Sequence, residues 1–172
     1  MKTLPIDAKE EEIRTLVIEW NELLAQEKYA EAIDFILYDN TQERDGKIWI
    51  WTPGNLEASV FTYGMPWFSK EEIEKQYGAG SADYKVSSLL QLPKDELWDE
   101  IEISIQHFDE TVSSEKARMW GISGLDYENI IGEVLYDGVP LNGERSDLTA
   151  LFWIKKVGER DITLVFRDLH VM

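Results

Sequence analysis

The chain contains no cysteine. That excludes a disulfide framework, a thiolate nucleophile and a thiolate-ligated metal, and it agrees with a reducing, cytoplasmic setting. Basic residues are scarce: 17 Lys and Arg stand against 34 Asp and Glu, a formal net charge of −17. Contact with nucleic-acid phosphates or an anionic membrane relies on Lys and Arg displacing counterions, so neither is an expected partner. The charge suits a solvated acidic surface, a basic protein partner or a cationic ligand. No apolar run approaches the about 18 residues of a membrane helix, and Met1 to Glu12 lacks the apolar stretch of a secretory signal, so the protein is expected to be soluble and intracellular. There are two histidines, His107 and His170, far apart in the chain. A zinc site would need carboxylates from elsewhere, and the acidic group Asp95, Glu96, Asp99 and Glu100 lacks calcium-loop spacing; no metal is expected. Gly78-Ala-Gly-Ser81 does not continue into a phosphate-binding motif. Gly121-Ile-Ser-Gly124 has Leu125 where a nucleophile elbow needs glycine. No cofactor is expected.

What is present belongs to a folded protein. Apolar residues make up 44% of the chain and aromatics 12%, with seven Trp. At 172 residues the chain is expected to form one domain, 1–172, with a core of its own. Ile13, Leu16, Val17, Trp20, Leu23 and Leu24 fall on one helical stripe, and Asp7 with Glu10 resembles a capping pair. Tyr29, Ala32, Ile33, Ile36 and Leu37 form one face of a second helix. Lys47 to Trp51 predicts a strand stopped by Pro53-Gly54-Asn55, with Ala58 to Tyr63 as its antiparallel mate. Ser69 and Glu72 have capping-box spacing for a short helix that Gly78 ends. Val86 to Leu92 and Trp98 to Phe108 predict strands, the second with Ile101, Ile103 and Ile105 alternating with polar residues. Glu115 to Ile122 allows helix or strand. Asn129 to Tyr136 predicts a strand, and Val139 to Arg145 a broad turn. The clearest strand–turn–strand pattern comes last: Leu148 to Val157, a Gly158-Glu159-Arg160 turn, then Ile162 to Val171.

Helices early and strands late predict an α+β fold, with N-terminal helices packed on a curved, mainly antiparallel sheet. This order resembles the nuclear transport factor 2-like superfamily, an α+β roll. The resemblance is carried by the helix pair with Trp20, Leu23, Leu24, Tyr29, Ala32 and Ile33, and by the closing strands Tyr136 to Ile154 and Leu164 to Met172. It implies a cone-shaped cavity between helices and sheet. In enzymatic members that cavity holds a small apolar substrate and an Asp, Tyr or His acting in acid–base chemistry. No such constellation can be carried over position by position, and many members are binding or interaction domains.

Three groups of side chains are candidates for function. His107 shares strand parity with Ile101, Ile103 and Ile105 and so points toward the apolar side, where it is either a pocket base oriented by Asp109 or a half-buried structural histidine. His170 shares parity with Asp168 and Phe166, which allows either an Asp–His pair or a solvated strand end. Trp49, Trp51, Tyr63, Trp67 and Trp120 lie among polar neighbours, where they either line a ligand or protein-contact site or plug the open end of the sheet. The leading expectation is a non-catalytic binding domain for a small apolar ligand or a basic protein, an acidic immunity-type protein that neutralises a basic toxin being one form of it. The alternative is an isomerase, dehydratase or hydrolase using His107. The closing hairpin carries apolar residues on both parities, so its second face predicts an interface and a homodimer.

Overall fold

The computed structural model describes residues 1–44, 46–91, 100–105 and 129–171. Its elements run β1 (Leu4–Pro5), α1 (Glu10–Ala25), α2 (Tyr29–Phe35), β2 (Leu37–Tyr38), β3 (Glu43–Arg44), β4 (Lys47–Ile48), α3 (Pro53–Phe61), α4 (Lys70–Tyr77), β5 (Ile101–Ile105), β6 (Ile130–Tyr136), β7 (Leu148–Val157) and β8 (Asp161–Val171). The main sheet has the order β1-β8-β7-β6-β5, all antiparallel, while β2 adds to β8 in parallel. With the N-terminal helices packed on one face of this curled sheet, the fold is an α+β roll.

The closing hairpin is the centre of the sheet. Its strands pair from Leu148↔Val171 to Val157↔Asp161, and Gly158 makes the turn at φ +70, a conformation that costs glycine nothing. Leu148, Ala150, Phe152 and Ile154 join Ile162, Leu164, Phe166 and Leu169 in the core. The step from Phe166 to Leu169 is three residues because the register shifts opposite Leu151/Phe152, and Arg167 is the extra residue. Phe166 therefore faces the core, while Asp168 and His170 lie on the other face. Sequence parity, which groups the three, fails at the bulge.

Ile13, Leu16, Val17, Trp20 and Leu24 of α1 bury as expected. Its N-cap is Lys9, not Asp7: the backbone N–H of Lys9 donates to Glu12 Oε2 at 2.9 Å, and the chain turns before it, with Ala8 N donating to Pro5 O. α2 stops at Phe35 because Leu37 and Tyr38 are recruited as a strand beside Val165 and Phe166.

Residues 47–63 depart most from expectation. Only Lys47 and Ile48 form a strand, paired with Glu43–Arg44, and the predicted mate is the helix α3. Thr52 caps that helix by accepting from Asn55 N, and Pro53 occupies its first turn, where the missing N–H costs no hydrogen bond. α4 has the expected capping box: Ser69 Oγ accepts from Glu72 N, and Glu72 Oε2 accepts from Ser69 N. Gly78 ends it at φ +102, but with an extended ψ of 165 rather than in the compact left-handed turn. Val86 contributes a single bridge to Leu141 and not a strand. The expectations for Leu92, Trp98 to Asp99, Gln106 to Phe108, Glu115 to Ile122 and Gly121 to Leu125 lie outside the described residues, as do Asp95, Glu96 and the turn residue Asp45.

Candidate binding groove

The aromatic residues singled out in the sequence separate in the fold. Trp51 is 3% exposed and sets its ring edge-on to Phe166, with centroids 4.8 Å apart; Trp49 packs edge-on to Trp51 at 5.8 Å. Tyr63 stacks on Tyr84 at 4.7 Å, and its hydroxyl donates to Asp147 Oδ1. Burial and the adjacent Asp147 carboxylate both push that phenol upward from its ordinary pKa. Trp67 is 56% exposed and touches Phe68. Trp120, His107 and Asp109 lie outside the described residues. The structure thus brings Trp49 and Trp51 together, ties Tyr63 to a different loop and leaves Trp67 on the surface.

The space between helices and sheet is filled among the described residues. Phe166 is its hub, with Trp20 at 5.1 Å, Tyr38 at 5.1 Å, Phe152 at 5.5 Å and Trp51 around it. The polar ends of these rings are satisfied in series: Trp20 Nε1 donates to Tyr38 Oη, and Tyr38 Oη donates to the Ala32 carbonyl. Burial raises the Tyr38 phenol far above its ordinary pKa. Tyr136, fully buried, donates to Asn21 Oδ1, and Asn21 Nδ2 donates to the Ser87 carbonyl. Trp20, Tyr136, Phe152 and Phe166 are each at most 1% exposed, so their side chains occupy this part of the interior.

The second face of the sheet is also not open at its centre. Trp153 is 3% exposed, Val165 is buried, and the Arg167 guanidinium lies over the Trp153 ring at 4.9 Å. Trp153 and Val165 are thus covered within one chain, while Leu151 and Val157 on the same face stay half-buried. At its end, His170 Nδ1 stands 3.5 Å from Asp168 Oδ2, both partly exposed. Among the described residues, no group of three His, Asp or Glu side chains is placed to hold a metal ion.

A broad concavity lies on the outer side of α1. It is an open groove of about 820 Å³ built on a second helical stripe, Thr15, Ile18, Glu19, Glu22, Leu23 and Gln26, spaced i, i+3, i+4, i+7, i+8 and i+11. This stripe runs about 17 Å, or three turns, along the helix. Asp34, Glu31 and Phe35 of α2, Met1 and Lys2 of the N-terminus, and Leu90, 61% exposed, complete the lining. The floor is apolar, from Ile18, Leu23 and Phe35. Its charged lining is lopsided: Glu19, Glu22, Glu31 and Asp34 against Lys2 alone. Lys2 pairs with Glu19 and lays its ammonium over the Phe35 ring at 5.7 Å. Ser88 Oγ donates to Glu22 Oε2 at 2.7 Å.

The stripe predicted for α1 includes Leu23, which the structure leaves half-buried in this groove. The available signal was Ile18, an apolar residue off the predicted stripe, which the structure buries to 4% exposure at the edge of the core. No helix among the described residues is long and apolar enough to cross a membrane. The chain matches no protein-family model, no curated protein and no solved structure.

Proposed function

We propose that this protein is a non-catalytic binding domain whose α1/α2 groove receives a cationic amphipathic segment of a protein partner. The observation that carries the reading is a groove along about three turns of α1, with an apolar floor of Ile18, Leu23 and Phe35 and a lining of four carboxylates and one lysine, on a chain of net charge −17. An amphipathic helix reads such a groove through apolar side chains one turn apart, while basic flanks meet the acidic walls. Charge of this density also speeds encounter with a basic partner and repels acidic ones. It equally disfavours a second copy of this chain as the occupant, because the acidic walls would face each other. An immunity-type protein that masks a basic toxin would use the same features.

The test is titration of a fluorescent, helical leucine/lysine peptide against the protein. The expected result is saturable binding that weakens as salt rises, with no binding of the leucine/glutamate counterpart. Reversing the exposed pair Glu31 and Asp34 to lysine should weaken binding about tenfold through lost steering and lost attraction. Equal binding of both peptides, or of neither, ends the reading. A dimer mass in light scattering, lost on changing Leu90 to Asp, would assign the groove to a second copy instead.

A further inference from the structure

Asn142 is the only asparagine in the chain that is followed by glycine; Asn21, Asn40, Asn55 and Asn129 each precede a residue with a side chain. An asparagine before glycine is the most reactive of its kind, because no Cβ on the next residue hinders its backbone nitrogen from reaching the carboxamide carbon. The pair forms a two-residue turn. Leu141 N donates to the Glu144 carbonyl at 2.9 Å, and Glu144 N donates to that of Leu141 at 3.0 Å. Asn142 at φ 52 and Gly143 at φ 87 are both left-handed, as the tight hairpin turn that favours Asn-Gly requires. Both residues are exposed.

The segment 83–87 clasps this turn. Ser87 N donates to the Pro140 carbonyl at 2.8 Å, and Asn142 N donates to that of Lys85 at 2.9 Å. Lys85 N donates in turn to Asn142 Oδ1 at 3.0 Å, and Asn142 Nδ2 reaches the Asp83 carbonyl at 3.5 Å. Gly143 N donates to Ser87 Oγ at 2.7 Å. The Gly143 nitrogen and the Asn142 carboxamide are therefore each held by a residue of the clasp. On its other side the clasp is tied to α1, where Asn21 Nδ2 donates to the Ser87 carbonyl.

We propose that Asn142–Gly143 is a site of spontaneous deamidation gated by the 83–87 clasp. When the clasp opens, the Gly143 nitrogen attacks Asn142 Cγ. The N–Cγ bond forms, the Cγ–Nδ2 bond breaks, and ammonia leaves with the proton that the Gly143 nitrogen gives up. One water then opens the cyclic imide at either carbonyl, which yields aspartate or isoaspartate. Neither product restores the clasp. Aspartate has no Nδ2 to donate to the Asp83 carbonyl, and it adds a negative charge two residues from Glu144 on a chain already at −17. Isoaspartate lengthens the backbone by one carbon, which a turn closed by Leu141 and Glu144 cannot absorb. The change is one-way, and its rate reports how often the clasp opens.

The experiment is peptide-resolved mass spectrometry of the full chain, incubated at mildly alkaline pH either native or unfolded in urea. The readout is the mass gain at residue 142 when –NH₂ is replaced by –OH. Product should form at least about tenfold more slowly in the native protein than in the unfolded chain. Ser87→Ala removes the acceptor for Gly143 N and should speed native conversion about fivefold, the worth of one hydrogen bond, while leaving the rate in urea unchanged. Ser87→Thr keeps the hydroxyl and should keep the slow rate. The wild type supplies a check that needs no variant: in urea too dilute to unfold the chain, conversion should rise in step with hydrogen exchange of the Gly143 amide. In Asn142→Asp the Lys85 and Gly143 amides should exchange faster while those of β7 stay protected. Equal rates in native and unfolded protein overturn the gate, as does native conversion that ignores both Ser87→Ala and dilute urea. An unmodified Asn142 in the unfolded chain overturns the site itself.

Discussion

Residues 47–61 and the hairpin 148–171 are built from similar side chains, and they fold differently. Both are rich in β-branched and aromatic residues, Ile48, Trp49, Ile50 and Trp51 in one and Phe152, Trp153, Ile154 and Val165 in the other. The hairpin becomes two long strands at the centre of the sheet, whereas the earlier segment yields a two-residue strand and a helix. The difference lies in where the backbone donors go. In the hairpin each strand finds a ladder on both sides: β7 lies between β6 and β8, and β8 lies between β7 and the short strands β1 and β2. In the earlier segment Trp49 N donates to the Gln42 carbonyl and Trp51 N to the Asn40 side chain, so its donors are used up locally. Thr52 then caps a helix that Pro53 is shaped to begin. The shared residue types decide burial. Hydrogen-bond partners decide strand or helix.

The two regions meet at Phe166, and its truncation is the severest test of the comparison. Phe166→Ala removes a ring that Trp20, Tyr38, Trp51 and Phe152 all contact, and it should cost about 3–5 kcal/mol in urea unfolding. Ile48→Ala in the earlier segment removes an exposed side chain and should change stability by about 0.5 kcal/mol or less. Equal losses would mean that the short ribbon β3–β4 is as integral to the core as the hairpin.

Gly64 is the next point of contact between the regions. It follows α3 at φ +82, and a Cβ there would meet His170 Cα at 3.0 Å and the Leu169 carbonyl at 3.2 Å. Gly64→Ala should therefore cost about 1–3 kcal/mol, from the left-handed backbone and the enforced shift of β8. A loss confined to α3, with β8 amide exchange unchanged, would separate the regions that this glycine joins.

The helical fate of 52–61 is tested at its cap. Thr52→Ala removes the acceptor for Asn55 N and should cost about 1 kcal/mol, whereas Thr52→Ser should be nearly silent. This helix also marks the limit of what the sequence made legible. Alternation and turn chemistry identify the closing hairpin, and the stripe from Ile13 to Leu24 identifies α1, because burial on one face leaves a periodic trace. Thr52-Pro53-Gly54 is equally good turn chemistry and helix-start chemistry, and only the absence of a pairing partner separates the two. The Arg167 bulge leaves no trace in residue type, so Asp168 and His170 read as neighbours of Phe166 on one face although they lie on opposite faces. The groove was hidden for another reason: its α1 stripe mixes Ile18 and Leu23 with Glu19, Glu22, Thr15 and Gln26, the composition of an ordinary solvated helix face.

Tyr38 bridges the regions and makes the comparison pH-dependent. Its phenol, raised by burial, and that of Tyr136, raised by burial and then by the Glu22 charge, stay protonated in the fold at pH values where an unfolded chain ionises near 10.0. Tyr29 is pushed to about 12 by burial and the nearby Glu57 and Glu27. Above pH 10 the folded chain binds more protons than the unfolded one, so stability is full below that pH and falls as pH rises through it. Ultraviolet titration of tyrosinate should show a late class of tyrosines that ionises only as the circular dichroism of the fold is lost. Ionisation of every tyrosine before unfolding would contradict the buried phenols.

The smallest effect compares how α1 and α3 end. Both close with the same paired bonds: Glu27 N to the Leu24 carbonyl and Lys28 N to that of Leu23, then Tyr63 N to the Val60 carbonyl and Gly64 N to that of Ser59. Both place a non-glycine residue in the left-handed position, Glu27 at φ 58 and Tyr63 at φ 57. Glu27 has only an exposed ion pair with Lys85 in return, whereas Tyr63 has the Tyr84 ring and the Asp147 carboxylate. Glu27→Gly should therefore gain up to about 1 kcal/mol, since the relieved backbone outweighs a screened surface pair. Tyr63→Gly relieves the same backbone but gives up the ring stack, so it should be neutral or destabilising in the same unfolding assay. Equal gains at both positions would mean that the Tyr63 contacts contribute nothing to holding α3 against the loop before β7.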